Sequence, residues 1–299
     1  MDNLFLTKLL ESGYTEDPLD EILAVITLMA PDFPQEPLVE LHREIRLIFE
    51  GEHPEYRQSN TKYHNLNHTY GVVLATVRLF HGLSRDGWHV SEETLSKALY
   101  SAYFHDCGLL LKNSEDAETG AVYTLGHEKR SMFLMADYLK ARKFSLPFIT
   151  DCSLIIQCTN LSIDPDSLFF PSAEMQLASF SVGSADILAQ MADRYYLERL
   201  PLLFQEHEEG GVTGYKSAVE LMEKTSVFYH EVVVDRLSSV FGNLTKFMQI
   251  HFRERWGVDR NLYLDSIKKN VTYIRLIVRS CGGDMEESLQ KYLRRIPPD

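Results

Sequence analysis

Long apolar runs are missing from this chain. The longest, ILAVITLMA at 22–30, is broken by Thr27 and falls well short of the ~20 residues that a membrane-spanning helix needs. No membrane partner is therefore expected. Basic charge is also scarce, with 30 Lys and Arg against 43 Asp and Glu and a net charge of −13. A nucleic-acid polymer or an anionic bilayer needs a basic face to bind, so neither is expected as the main partner. A small phosphate ester stays open, because a bound metal ion can supply positive charge locally. Cys107, Cys152, Cys158 and Cys281 show no C-x-x-C spacing and read as reduced thiols of a cytoplasmic protein. The opening MDNLFLTKLLESGYTEDPLDE has no basic segment ahead of an apolar core, so it does not read as a secretory signal. There is no internal repeat, low-complexity tract or long charge block.

What is present is helical periodicity. Hydrophobic residues make up 44% of 299 residues and charged ones 24%, the balance of a soluble globular protein with a sizeable core. In 37–50, Leu38, Leu41, Ile45 and Ile48 keep 3–4 spacing behind Pro37, which can start a helix. The stretch 93–106 puts Leu95, Leu99, Ala102 and His105 on one stripe. Helices are expected at 127–142 and 148–158, at 174–205 with a break at Gly183, and at 215–230, 231–256 and 260–280. A last basic helix is expected after Gly282-Gly283, ending at Pro297. EHEEGGVTG at 206–214 reads as a solvated loop, and EVVVD at 231–235 has no alternating partner that would make it a strand. The expectation is an all-α chain forming one domain over 1–299.

Chemistry concentrates in three places. YHNLNH at 63–68 sets His64 and His68 four residues apart, on one face of a helix. His105 and Asp106 close an apolar helix next to Gly108, where burying an imidazole and a carboxylate costs several kcal/mol unless each finds a partner. Asp186 is a lone acid inside the apolar stretch SADILAQM. Imidazoles and carboxylates are good ligands for a divalent cation, and ligands on separate helices can converge on one ion. The bland readings are surface or capping histidines at 64 and 68, a His105–Asp106 pair at a helix end, and Asp186 as an internal N-cap.

The ordered set YHNLNH, FHDCG and SADIL resembles the HD-domain metal-dependent phosphohydrolases, and among them the catalytic domain of cyclic-nucleotide phosphodiesterases. The resemblance spans about 60–200. It implies an HD-domain/PDEase-like helical bundle with that metal-binding core and helical extensions at 1–59 and 201–299. It also implies one or two divalent metal ions (Mn, Fe, Zn, Co, Ni or Mg), with His68, His105, Asp106 and Asp186 as ligands of the first. Asp106 would bridge to a second, and His64 would be the general acid that protonates the leaving oxygen. His127 resembles the further histidine that many HD proteins place on the second metal, although GHE at 126–128 also reads as an ordinary helix start. The implied activity is hydrolysis of a small nucleotide phosphoester, first a cyclic-nucleotide-type phosphodiester, by metal-hydroxide attack. The alternatives are an HD nucleotide phosphomonoesterase or a non-catalytic HD module that senses ligands. The chain departs from the family in three ways. No histidine lies within 107–120, IIQCTN with Cys158-Thr159 stands where cyclic-dinucleotide enzymes carry adjacent histidines, and Leu109 stands where they carry lysine. Gln249 and Phe252 form a Q-x-x-F that resembles the nucleobase clamp of phosphodiesterases, a pattern short enough to arise by chance.

Overall fold

A computed structural model of the chain describes residues 18–280, together with positions 6, 9, 10, 292, 293, 295 and 297. Cys281 and the body of the basic helix expected after Gly283 lie outside the described residues. Among those described, regular structure is helical, and the only strand-like feature is an isolated bridge between Tyr56 and Lys112. The helices are α1 (Leu19–Met29), α2 (Gln35–Glu50), α3 (Leu66–Arg85), α4 (Glu92–Phe104), α5 (His127–Ala141), α6 (Leu146–Gln157), α7 (Ala173–Ala192), α8 (Tyr196–Glu209), α9 (Ala218–Phe228), α10 (Lys246–Trp256) and α11 (Leu262–Ser280).

Serines start many of them. The side chains of Ser91, Ser145, Ser172 and Ser217 accept backbone amides at the N-termini of α4, α6, α7 and α9, each satisfying a donor the helix itself cannot. Asn65 does the same for α3. α3 and α7 are apolar around most of their circumference, so they are buried at the centre, with α3 packed against α7, α10, α1 and α4. One buried apolar cluster runs from Ile22 of α1 to Ile277 of α11.

Two expectations change. α7 runs unbroken through Gly183 and stops instead at Asp193. A Cβ on Gly183 would lie 2.6 Å from the Cys158 carbonyl oxygen and 2.8 Å from the Phe241 ring, so this glycine permits close approach rather than a turn. Residues 206–209 are the last turn of α8, not loop. EVVVD is helical: its first three residues close a wide π turn at Tyr229–Val233, and Val234 and Asp235 link it to a second at Arg236–Val240.

α3 and α10 meet at His81 and His251, whose Nδ1 atoms are 3.2 Å apart. Burial, aided by Arg85, lowers His81 to about 4. Burial and then Arg78 hold His251 well below the ordinary imidazole range. In the unfolded chain both would protonate near 6.5, so protons favour unfolding. The penalty is absent above about pH 7 and grows as pH falls from about 6.5 towards 4. For His81 alone it reaches ~2 kcal/mol at pH 5. His81→Gln should therefore lose less Tm than wild type between pH 7 and pH 5 in thermal melts; an equal loss would refute this assignment.

Candidate metal centre

The ends of three helices and the middle of a fourth bring the singled-out residues together. Asn65 caps α3 by accepting the His68 amide at 3.1 Å, which places His68 in the first turn. α4 ends at Phe104, and the turn that follows exposes His105 and Asp106 to the same point. α7 contributes Asp186, and the first residue of α5 is His127. His68, His105 and Asp106 are 6%, 1% and 4% exposed.

The donor atoms converge. His68 Nε2 lies 3.3 Å from His105 Nε2, 3.3 Å from Asp106 Oδ2 and 3.1 Å from Asp186 Oδ1. His105 Nε2 lies 3.1 Å from Asp106 Oδ2 and 3.6 Å from Asp186 Oδ1. Ligands ~2.1 Å from a common centre stand about 3.0–3.4 Å apart in octahedral or tetrahedral arrangement, so the spacing of His68, His105 and Asp106 fits a single divalent ion, with Asp186 at the edge of that group, 3.6 Å from His105. Asp106 Oδ2 is buried without a hydrogen-bond partner, another mark of a position suited to a cation. His105 donates Nδ1–H to the Ala102 carbonyl at 2.8 Å, which leaves Nε2 as the nitrogen facing the cluster, where a metal ion would take the place of a proton.

The other oxygen of the same carboxylate faces elsewhere. Asp106 Oδ1 is 3.2 Å from His127 Nε2, and His127 Nδ1 donates to the Thr124 carbonyl at 2.9 Å. Asp106 thus has one oxygen for the first cluster and one for His127. Among the described residues, these two atoms are what a second ion would meet.

Electrostatics match a cation site. Burial raises the Asp106 carboxyl, but His105, then His127 and His68, outweigh it and hold it well below the usual carboxylate range. Burial likewise opposes Asp186, which His105 and His68 bring down to about 2. Burial pulls the imidazoles down, yet Asp106 and Asp186 lift His68, and lift His105 further. Asp106 is the main lift on His127, to about 9. The carboxylates are negative and the imidazoles hold the compensating charge, which a metal ion can replace.

His64 stands beside this cluster, its ring centroid 6.0 Å from that of His68 and 5.9 Å from that of His127. Its Nδ1 is 2.7 Å from Glu206 Oε2, while Glu206 Oε1 accepts the Tyr63 and His64 amides. Glu206 is 4% exposed. Sequence reasoning missed it. It sits in a run of acids, and the face that α8 buries is not visible without a packing partner. The Q-x-x-F pair takes no part in the site. Phe252 is fully buried, beneath the Arg78 guanidinium, and Gln249 bonds Asp259 at 2.9 Å.

α5 is locked to the His105-Asp106 turn. Ser131 donates to the His105 carbonyl at 2.6 Å and accepts the Gly108 amide at 2.8 Å. Arg130 donates to the Gly108 and Leu110 carbonyls. A Cβ on Gly108 would stand 2.0 Å from the His127 carbonyl oxygen, so only glycine allows the turn and the helix to touch. Gly108→Ala must push His127 away from Asp106. Overpacking of this kind costs about 1–3 kcal/mol. The variant should melt several degrees lower and, if wild type holds two ions, hold one. An unaltered melt would contradict the close packing.

Residues 152–250, about a third of the chain, match the Npun_R2479-like family. The matched segment carries Asp186 and Glu206 but none of His64, His68, His105, Asp106 or His127. No curated protein matches the chain. No helix among the described residues is long and apolar enough to cross a membrane.

Proposed function

We propose that the protein is a metal-dependent phosphohydrolase with an HD-type, phosphodiesterase-like helical core, acting on a small nucleotide phosphoester and first on a cyclic-nucleotide-type phosphodiester. The observation that carries this reading is the buried group of His68, His105 and Asp106, with Asp186 3.1 Å from His68 and a carboxylate-backed histidine beside it. A divalent ion held by these four would supply Lewis acidity and generate a nucleophile from water at neutral pH.

The chain's own groups do the rest. Glu206 accepts from His64 Nδ1 and fixes the ring, so that Nε2 carries the proton traffic. A leaving alkoxide needs a proton at that step, and a positioned imidazole supplies ~10²–10⁴ in rate. Burial of His68, His105 and Asp106 keeps bulk water from their lone pairs and strengthens every charge interaction among them. A nucleotide phosphomonoester would use the same groups, so substrate choice separates the two readings.

The test starts with metal analysis of the purified protein. The metal-stripped chain is then assayed with Mn²⁺ or Co²⁺ on bis(p-nitrophenyl) phosphate and on p-nitrophenyl phosphate. A panel of cyclic mononucleotides, cyclic dinucleotides and nucleoside monophosphates follows. Bound transition metal with diester hydrolysis supports the proposal. No metal and no hydrolysis of any of these esters would end it and favour the ligand-sensing module.

A further inference from the structure

α8 touches the Tyr63–His68 turn at two places, and the mechanism above uses only Glu206. Arg199 lies seven residues earlier, two helical turns back and on the same face. It is 4% exposed. Its Nε is 2.8 Å from Asp193 Oδ2, and its Nη1 donates to Asn65 Oδ1 at 3.4 Å. That oxygen is the α3 cap, already accepting the His68 amide at 3.1 Å. Asp193 is anchored as well: Oδ1 accepts the Tyr195 amide at 2.8 Å, and its carbonyl accepts Asn270 Nδ2 of α11 at 2.8 Å.

A buried ion pair is a poor way to stabilise a fold, because desolvation consumes what attraction returns. Its use is in fixing geometry, and here the geometry it reaches is that of a metal ligand. His68 is the third residue of α3, within the turn that the Asn65 cap holds. A cap is worth ~1 kcal/mol, and its loss frays the turn that carries the ligand. The Asn65 amide is oriented from both ends, since Nδ2 donates to the Lys62 carbonyl at 3.3 Å while Oδ1 takes Arg199 and His68.

We infer that Arg199 is a positioning residue: held by Asp193, it fixes Asn65, and through Asn65 it sets His68 Nε2 against Asp106 and Asp186. The inference rests on the reading of His68 as a metal ligand. α8 then grips both halves of the turn, with Glu206 on the proton-carrying histidine and Arg199 on the metal-carrying one.

The test is Co²⁺ titration of the metal-stripped full chain, followed by absorption, with thermal melts of the metal-free protein alongside. Arg199→Gln should weaken Co²⁺ binding 10–100-fold, the usual effect of losing an outer support of a metal ligand. Arg199→Lys should restore part of it. Asn65→Ala should weaken binding similarly, and the double variant should be no worse than Asn65→Ala alone, because both act through one contact. Arg236→Gln is the control. This other buried guanidinium bonds the Leu161 and Ile163 carbonyls, so its loss should lower Tm and leave Co²⁺ affinity unchanged. Wild-type affinity in Arg199→Gln, or losses that multiply in the double variant, would overturn the inference alone. A wild-type chain that takes up no Co²⁺ would overturn the ligand reading and the inference together. If Arg199→Gln does not fold, the cycle of Arg199→Lys with Asn65→Ala gives the same answer.

Discussion

Asp106→Asn should abolish metal uptake while leaving a folded helical protein. The substitution keeps shape and removes charge at a side chain whose two oxygens both face imidazoles: Oδ2 towards His68 and His105, Oδ1 towards His127. An amide is a weak ligand and cannot bridge as a carboxylate does. It also withdraws the largest influence lifting His105 and His127. Breaking a buried charge group on one side costs about 3–5 kcal/mol when the remaining charge cannot leave, but here the imidazoles can deprotonate and limit the loss. The clearest measurement is Tm with and without Mn²⁺ or Zn²⁺. Wild type should gain stability as RT ln(1 + [L]/Kd), about 2.7 kcal/mol at a hundredfold excess over Kd. The variant should gain nothing, contain no metal after purification and lose hydrolysis by ~10³ or more. Metal-dependent stabilisation equal to wild type would remove Asp106 from the site.

Why could this centre be read from residues while its supports could not? His64, His68, His105, Asp106 and Asp186 are chemically conspicuous: imidazoles and acids placed at helix ends or inside apolar stretches, where burial demands a partner. The structure also brings His127 to Asp106, a placement that GHE alone left open against an ordinary helix start. Helical content was legible for the same reason, because 3–4 spacing of Leu, Ile and Val survives without tertiary context. The supports carry no such mark. Glu206 and Arg199 act on a turn some 140 residues away in sequence, and each resembles an ordinary surface charge until the buried face of α8 is known. Gly183 shows the converse. A glycine in an apolar stretch suggests a break, yet here tertiary packing, with Cys158 and Phe241 pressed onto the bare Cα, overrides local propensity.

Glu206→Gln should keep the metal and lose the proton. The carboxylate accepts His64 Nδ1–H at 2.7 Å, which fixes the ring and balances the charge of an imidazole protonated on both nitrogens, the form that has an Nε2 proton to give. An amide of the same shape brings no charge to that form, so the neutral ring either lacks the Nε2 proton or holds it too tightly to pass on. Here ~10²–10⁴ is expected on substrates with alkoxide leaving groups, the range of general acid catalysis. Activated aryl esters, whose leaving groups need no proton, should lose far less. His64→Asn should show the same split, and the double variant should be no slower than either single one, since both remove one function. Metal content should match wild type in all three, because neither residue supplies a donor atom to the His68, His105 and Asp106 group. Equal losses on alkyl and aryl esters would assign the Glu206–His64 pair to holding the turn rather than to moving a proton. Loss of metal in Glu206→Gln would instead make α8 a support of the ion itself, with His64 part of the wall around it.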